Sequence, residues 1–455
     1  MKKRFFCIIL ISLTLILALC AVGCNEDNEA NTPSADSGKV LTLNVYNWGE
    51  YISDGSFGEL DTNKEFEKYC LEELGLRVVV NYSTYATNED MYSKIKNGAV
   101  SYDIVIPSDY MIQKMIEENL LLSFNVKEEI ENFANIDENF VNPYYDPENV
   151  YSVPYTYGML GIIYNTDLVD PEDVADESWG LLWNEKYKGK ILQFNNPRDA
   201  FASAMYYKGI DVNSTNPDDW NMALEILKKQ KPLVQGYVND EIFNKMSTAS
   251  AAIAPYFAGD FITMAETNPS LALYYPKEGV NYFVDAMCIP ANSKNPELAK
   301  EYINFMLTQT AAVANAKYIG YASPNKLVAS KQEVDGGFEY TYDEEYLDYM
   351  GEETLEILYG VDPKEINSDY EAKINGTACY KSFSPEIQEH VNTLWESLKT
   401  ENSTELWVHI LSIGIVLAVI SLGVYSSYIK KTRSKHYRLR DKEKRLAAKK
   451  SANKK

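Results

Sequence analysis

The sequence predicts an α/β protein of two lobes, and three observations carry that expectation. From Val40 to about Lys399 strand-like and helix-like stretches alternate. The alternation runs in two series, the second starting after Pro154, and together they exceed what one core ordinarily holds. No repeat recurs at 20–50 residues, which argues against a solenoid.

In the first series Leu41–Tyr46 reads as a short strand. Phe66, Cys70 and Leu74 then fall four apart on one helical face, with Gly75 as a stop. Leu76–Tyr82 is strand-like, and Asn88–Asn97 reads as a helix capped by Asn88 or Thr87 and ended by Gly98. Tyr102–Ile106 is a further strand, followed by helical Tyr110–Glu118. In the second series Leu160–Tyr164, Lys190–Phe194 and Ala251–Tyr256 look extended. Arg198–Lys208, Pro217–Gln230, Gly259–Glu266 and Pro385–Leu398 look helical. Short strands separated by helices imply βαβ units and parallel sheets covered on both faces. The acidic, Tyr-rich stretch Ser330–Tyr370 has no period that places its elements.

The ends carry a different signal. Of 455 residues 45% are apolar and 24% charged, which excludes collagen-like, disordered and disulfide-stapled classes. The formal net charge of −23 hides a partition. Residues 430–455 hold 13 Lys/Arg against Asp441 and Glu443, whereas 25–429 carry 27 basic and 64 acidic residues. Such an acidic field disfavours nucleic acid as a partner of the outer portion. At the start, Lys2–Arg4 precede an apolar run from Phe5 to Leu19, the pattern of an export leader over 1–23. The following Ala21-Val22-Gly23-Cys24 is similar to the lipobox of bacterial lipoproteins, which implies lipidation of Cys24; two acyl chains anchor stably where one is marginal. Residues 24–39 read as a polar tether.

Leu406–Ile429 contains no Asp, Glu, Lys or Arg. As a helix it reaches roughly 36 Å, enough to cross a hydrocarbon core of about 30 Å. Trp407, Tyr425 and Tyr428 stand where interfacial aromatics belong, and the basic run from Lys430 places the C-terminus in the cytoplasm. Asn402-Ser403-Thr404 reads as the junction with the globular portion.

Chemistry is limited by supply. His390 is the only histidine in the outer portion, and no H-E-x-x-H, C-x-x-C, EF-hand loop, nucleophile elbow or P-loop occurs. Neither an enzyme nor a metal or other cofactor is expected. Cys70, Cys288 and Cys379, scattered and odd in number, read as buried small hydrophobes. What stands out is aromatic and acidic residues together at strand ends: Asn47–Tyr51, Pro107–Tyr110, Tyr256–Asp260 and Tyr282–Asp285. In open α/β sheets ligands bind beyond the carboxyl ends of strands. Carboxylates among aromatic faces suit an organic ammonium, since acid and ring quadrupole both attract the charge.

The same residues resemble the spermidine/putrescine-binding proteins of polyamine ABC transporters. The likeness runs from about Leu41 to Asn325 through VYNWGEY (Val45–Tyr51), YDIVIPSDY (Tyr102–Tyr110), YSVPYTYG (Tyr151–Gly158), YPKEG (Tyr275–Gly279), DAMCIPAN (Asp285–Asn292) and IGYASPN (Ile319–Asn325). It implies a two-lobe, Venus-flytrap fold of the type II periplasmic-binding class, with crossovers near Pro154–Tyr157 and Gly279–Asp285. Its lobes would comprise 40–154 with 284–329, and 155–283 with 330–400. Carried over position by position, the resemblance assigns polyamine contacts to Trp48, Glu50, Tyr51, Ser108, Tyr110, Asp199, Tyr256, Asp260, Phe283, Asp285 and Tyr321, with Glu50 holding an ammonium. Asn196 stands where the spermidine branch has an acid, which weakens the provision for a longer polyamine. The C-terminal span is foreign to the ordinary family pattern. The function implied is a membrane-anchored extracellular component that captures putrescine or spermidine and delivers it to an ABC permease. The alternatives are a binder of another small solute on the same fold, or a tethered polyamine sensor.

Overall fold

The computed structural model describes residues 40–334, 337–361, 376–400 and 406–452. The leader, Cys24, the tether and the expected 402–404 junction lie outside them.

Strand β1 (Leu41–Trp48) runs parallel to β2 (Val78–Tyr85) and β3 (Ile104–Val105). Between them lie α1 (Thr62–Glu72), whose first turn is capped by Asp61, and α2 (Asn88–Asn97), whose backbone N–H at Asp90 donates to Thr87. Gly98 ends α2 in the left-handed conformation that a side chain would disfavour. Helix α3 (Asp109–Glu117) follows β3, and the long β4 (Ser152–Asn165) leads into the second half. There β5 (Ile191–Phe194), β6 (Val234–Val238) and β7 (Ile253–Phe257) alternate with α4 (Pro197–Lys208), α5 (Pro217–Gln230) and α6 (Glu241–Ser247). Helix α7 (Ala258–Thr267), β8 (Leu271–Tyr274) and β9 (Gly279–Cys288) bring the chain back to α8 (Pro296–Met306) and α9 (Gln309–Ile319).

The expectation of parallel sheets holds for β1–β3 and for β5–β7, but not where β4 and β9 pair with their neighbours. The strand order is β2-β1-β3-β9-β4-β7-β5-β6, with β8 beside β4 and a short β12 (Gly376–Ala378) beside β9. β9 runs antiparallel to both β3 and β4, because one of these two strands leaves the first half and the other returns to it. β4 pairs with β9 over Ser152–Met159, shifts register between Pro154 and Thr156, and then pairs with β7 over Leu160–Tyr164. Thirteen of its 14 residues are buried, which explains an apolar run without alternation.

Two apolar cores flank this centre. One gathers Leu43, Val45, Phe66, Ile104 and Tyr302; the other Ile162, Trp179, Phe201, Trp220 and Ile253, all essentially inaccessible to solvent. Each such side chain contributes on the order of 1.5–3 kcal/mol on burial. Two sequence expectations are corrected. Leu74 is 36% exposed because α1 stops at Glu72 and the chain turns away before the third position of the stripe. Cys379 is only half-buried, since it lies in an irregular segment after β12 rather than within an element, whereas Cys70 and Cys288 are buried.

The stretch without a readable period holds a hairpin, β10 (Ala329–Val334) and β11 (Gly337–Tyr342), then α10 (Glu344–Met350) and α11 (Glu352–Tyr359). Helix α12 (Pro385–Thr400) packs on α5, and α13 (Leu406–Ala452) is long and apolar enough, by length and composition, to cross a membrane.

Candidate ligand-binding cleft

A cleft of about 990 Å³ opens where the first strands of each half end, and the face of β9 forms part of its wall. It is at the upper end of the range for small-molecule pockets, about 300–1,000 Å³. Topology brings together what the sequence scatters. Trp48, Glu50 and Tyr51 follow from the end of β1, and Ser108 and Tyr110 from the end of β3. Asp199 lies in the first turn of α4, Tyr256 on β7 and Asp260 in the first turn of α7. Phe283 and Asp285 alternate onto one face of β9, and Tyr321 follows α9. All eleven residues line this one cleft.

Two carboxylate–phenol pairs form its centre. Tyr51 Oη donates to Asp285 Oδ2 at 2.7 Å. With that hydrogen spent, the phenol oxygen accepts from the Thr156 hydroxyl at 2.6 Å. The other carboxylate oxygen, Oδ1 of Asp285, is buried and has no hydrogen-bond partner among the described residues. Burial pushes this carboxyl up to about 6, against the opposing pull of the Ser108 and Tyr51 hydroxyls. In the second pair Tyr321 Oη donates to Asp260 Oδ2 at 2.7 Å. Burial pushes Asp260 up to about 7; the Tyr321 hydroxyl pulls the other way, and Asp240 adds to the rise. The two phenol rings meet edge-on with centroids 5.6 Å apart, and Phe283 extends the aromatic wall at 5.7 Å from Tyr321. Gly259 makes this close approach possible: a Cβ there would sit 2.7 Å from the Tyr321 ring.

Around them, Asp199 accepts from Asn196 Nδ2 at 2.8 Å and from Tyr380 Oη at 3.0 Å, and burial raises its carboxyl. Asn196 thus spends its amide on Asp199 and its carbonyl oxygen on capping α4. Tyr110 Oη donates to Glu89 Oε1 at 3.1 Å, and burial raises Glu89 as well. Trp48 packs on Tyr85 at 4.6 Å and is fixed by Nε1–H to the Ile106 carbonyl. Tyr256 stacks on Phe194 at 5.6 Å. Glu50, at the exposed rim, adopts a left-handed φ of 51° and accepts from Tyr318 Oη at 2.9 Å.

Residues the sequence reading passed over also line the cleft: Glu89, Asp109, Arg198, Asp240, Lys317 and Tyr380. Glu89 was within reach, because Tyr85–Glu89 is another aromatic-to-acid stretch at a strand end. Asp109 is buried, and burial pushes it up to about 8. Arg198 lies among rings, 3.8 Å from the Phe383 centroid and 4.4 Å from that of Tyr380. Among the described residues nine carboxylates and two cations line the cleft, so its field favours a positively charged occupant.

A two-lobed α/β chain with its cleft at the strand ends between the halves is the architecture of a solute-binding protein. The chain belongs to the bacterial extracellular solute-binding protein family, whose sequence pattern matches residues 63–338. It is 36% identical over 287 residues to the spermidine/putrescine-binding periplasmic protein of Escherichia coli, covering 62% of this chain and 78% of that protein. It is 28% identical over 302 residues to the putrescine-binding periplasmic protein PotF of the same organism, covering 63% and 78%. Among solved structures, a putative spermidine/putrescine ABC transporter from Listeria monocytogenes superposes with a TM-score of 0.62 at 32% identity, covering 79% of this chain and 99% of that one. The substrate-binding protein PotD from Streptococcus pneumoniae gives 0.58 at 33% identity, covering 79% and 98%. The fold is therefore that of a two-lobe periplasmic binding protein.

Proposed function

We propose that this chain captures a polyamine, putrescine or spermidine, outside the cell and delivers it to an ABC permease. The observation that carries the reading is the pair of phenol-supported carboxylates, Asp285 with Tyr51 and Asp260 with Tyr321, set in an aromatic wall within an acid-rich cleft. An alkyl-ammonium offers three N–H donors to such carboxylates and an apolar stem to the rings. Trp48, Ser108, Tyr110, Asp199, Tyr256, Phe283 and the rim acid Glu50 complete the contact set in this reading. The names of the relatives in Escherichia coli and Listeria monocytogenes support the same ligand class.

Empty, buried carboxylates without counter-charges are costly, so the unliganded cleft stays open and wet. Ligand pairs them, the lobes close by hinge motion, and the closed form is what the permease reads. In this proposal 40–154 with 284–329 make one lobe, and 155–283 with 330–400 the other. Lipid on Cys24 and a span at 406–429 hold the chain at the outer face, with the basic 430–455 in the cytoplasm; the apolar length of α13 and the asymmetry of charge around it support this placement.

Titration calorimetry on the full chain in detergent, with putrescine, spermidine, maltose and ferric ion, tests the ligand class. Heat from either polyamine and none from maltose or iron is expected; the reverse pattern removes the proposal.

A further inference from the structure

One cation in the cleft wall is held the way a ligand amine would be held. Lys317, near the end of α9, is only 6% exposed along its side chain. Its ammonium lies 2.8 Å from Glu59 Oε2 and 2.8 Å from Glu345 Oε1, and 4.7 Å from the centroid of the Tyr349 ring. Those groups come from two separate parts of the chain, Glu59 before α1 and Glu345 with Tyr349 on α10. Two carboxylates and a ring around a primary ammonium on an alkyl stem is a complete ammonium subsite. It is also part of the same cleft: Glu59, Lys317, Tyr318 and Tyr349 line it together with Asp260 and Tyr321. Tyr318, the next residue, hydrogen-bonds Glu50 at the rim. Burial works against the charge on Lys317, but the two carboxylates outweigh it and hold the ammonium above the ordinary lysine range.

We propose that Glu59, Glu345 and Tyr349 form an ammonium subsite at the edge of the cleft that Lys317 fills from within, so that Lys317 makes the chain favour a diamine over a longer polyamine. The inference deepens the polyamine reading and rests on it for the consequence, though not for the subsite itself. A third ligand nitrogen directed toward α9 meets a like charge instead of a carboxylate pair. Glu59 and Tyr349 line the cleft, and with Lys317 removed they and the more exposed Glu345 are free to accept that nitrogen. Lys317 is thus a specificity-determining residue, acting by occupying a place the ligand would otherwise use.

Two measurements on the full chain decide the matter. The first is chemical rescue: Lys317→Ala deletes an n-propylammonium fragment, so n-propylamine is the probe. Millimolar n-propylamine is expected to raise the melting temperature of Lys317→Ala and not that of the unsubstituted chain, with sodium chloride at equal ionic strength as control. Equal shifts in both proteins overturn the subsite, whether or not the chain binds polyamines. The second is a ratio of affinities by calorimetry, which cancels any uniform effect on lobe closure. Lys317→Ala is expected to raise the spermidine-to-putrescine affinity ratio by about tenfold, the step of one charged contact. Glu59→Gln, which leaves the lysine charge less compensated, is expected to lower the same ratio and covers the case in which Lys317→Ala does not fold. Ratios that stay at the parent value in the folded variants overturn the length preference. If the unsubstituted chain binds no polyamine, it is the functional reading that fails, and the rescue measurement still judges the subsite.

Discussion

Acidification should switch ligand capture off, and the size of the effect follows from Asp285 and Asp260. Their carboxyls titrate near about 6 and about 7 in the empty cleft because burial disfavours the charged form. An ammonium pairs with the ionised form, so each acid multiplies the dissociation constant by a factor of 1 plus 10 to the power of pKa minus pH. At pH 8 the product is about 1; at pH 5 it is about 10 for Asp285 times about 100 for Asp260, close to a thousandfold or about 4 kcal/mol. The perturbation is therefore pH alone, from 8 to 5, at constant ionic strength. Calorimetry in two buffers of different ionisation enthalpy reads both the affinity and the protons released on binding. Release should approach about two protons at pH 5 and fall steadily to near zero by pH 8. An affinity that stays level across this range, with no proton release, would falsify the idea that these two buried acids receive the ligand charge.

Other consequences are open to direct measurement. Asp285→Asn and Glu50→Gln should each weaken putrescine binding by at least about tenfold, and unchanged calorimetric affinity in both would remove them from the site. Tyr51→Phe removes a donor to Asp285, so the pH midpoint of binding should move upward; a midpoint that stays or falls contradicts the role given to that phenol. The empty protein should become less stable as pH climbs from about 4 to about 8. Over that window its raised acids keep protons that the unfolded chain has already released, and linkage then favours unfolding. Putrescine should cancel that loss, so the melting-temperature gain on adding ligand should grow with pH; a gain that shrinks would invert the sign. Gly259→Ala places a methyl group 2.7 Å from the Tyr321 ring and 2.9 Å from the Gly320 carbonyl. Denaturant unfolding should report a loss of about 1–3 kcal/mol, with weaker ligand binding as Tyr321 is pushed off Asp260; full affinity would mean the ring relocates freely.

Much of this was readable in the chain where local chemistry decides. The bounds of α2 and α5 agree with the reading because Thr87 and Asn216 are cap residues and Gly98 ends its helix in the left-handed conformation that glycine adopts readily. Most of the site residues lie within a few positions of a strand end, where topology rather than distant packing places them; Tyr321, which follows α9, was reached through the family resemblance alone. The antiparallel centre was hidden, since a strand buried on both faces has no alternation to betray its direction. The hairpin of Ala329–Tyr342 was harder to read because β10 is largely exposed and polar, and only β11 carries an alternating stripe, Phe338, Tyr340 and Tyr342. Lys317 and Tyr380 could not be found from neighbours in sequence. Their partners, Glu59 and Asp199, are brought to them only by the return of the chain after β9.

Asp285 sits opposite Thr156 in the β4–β9 ribbon, the two strands that connect the halves. Points close to an axis of rotation travel least, so this carboxyl keeps nearly the same address whether the jaws stand apart or together. In the proposed hinge closure Asp260, on a helix farther out, is carried with its lobe. That proposal gives capture an order: the cation first docks at the pivot, and the moving lobe supplies the second acid afterwards.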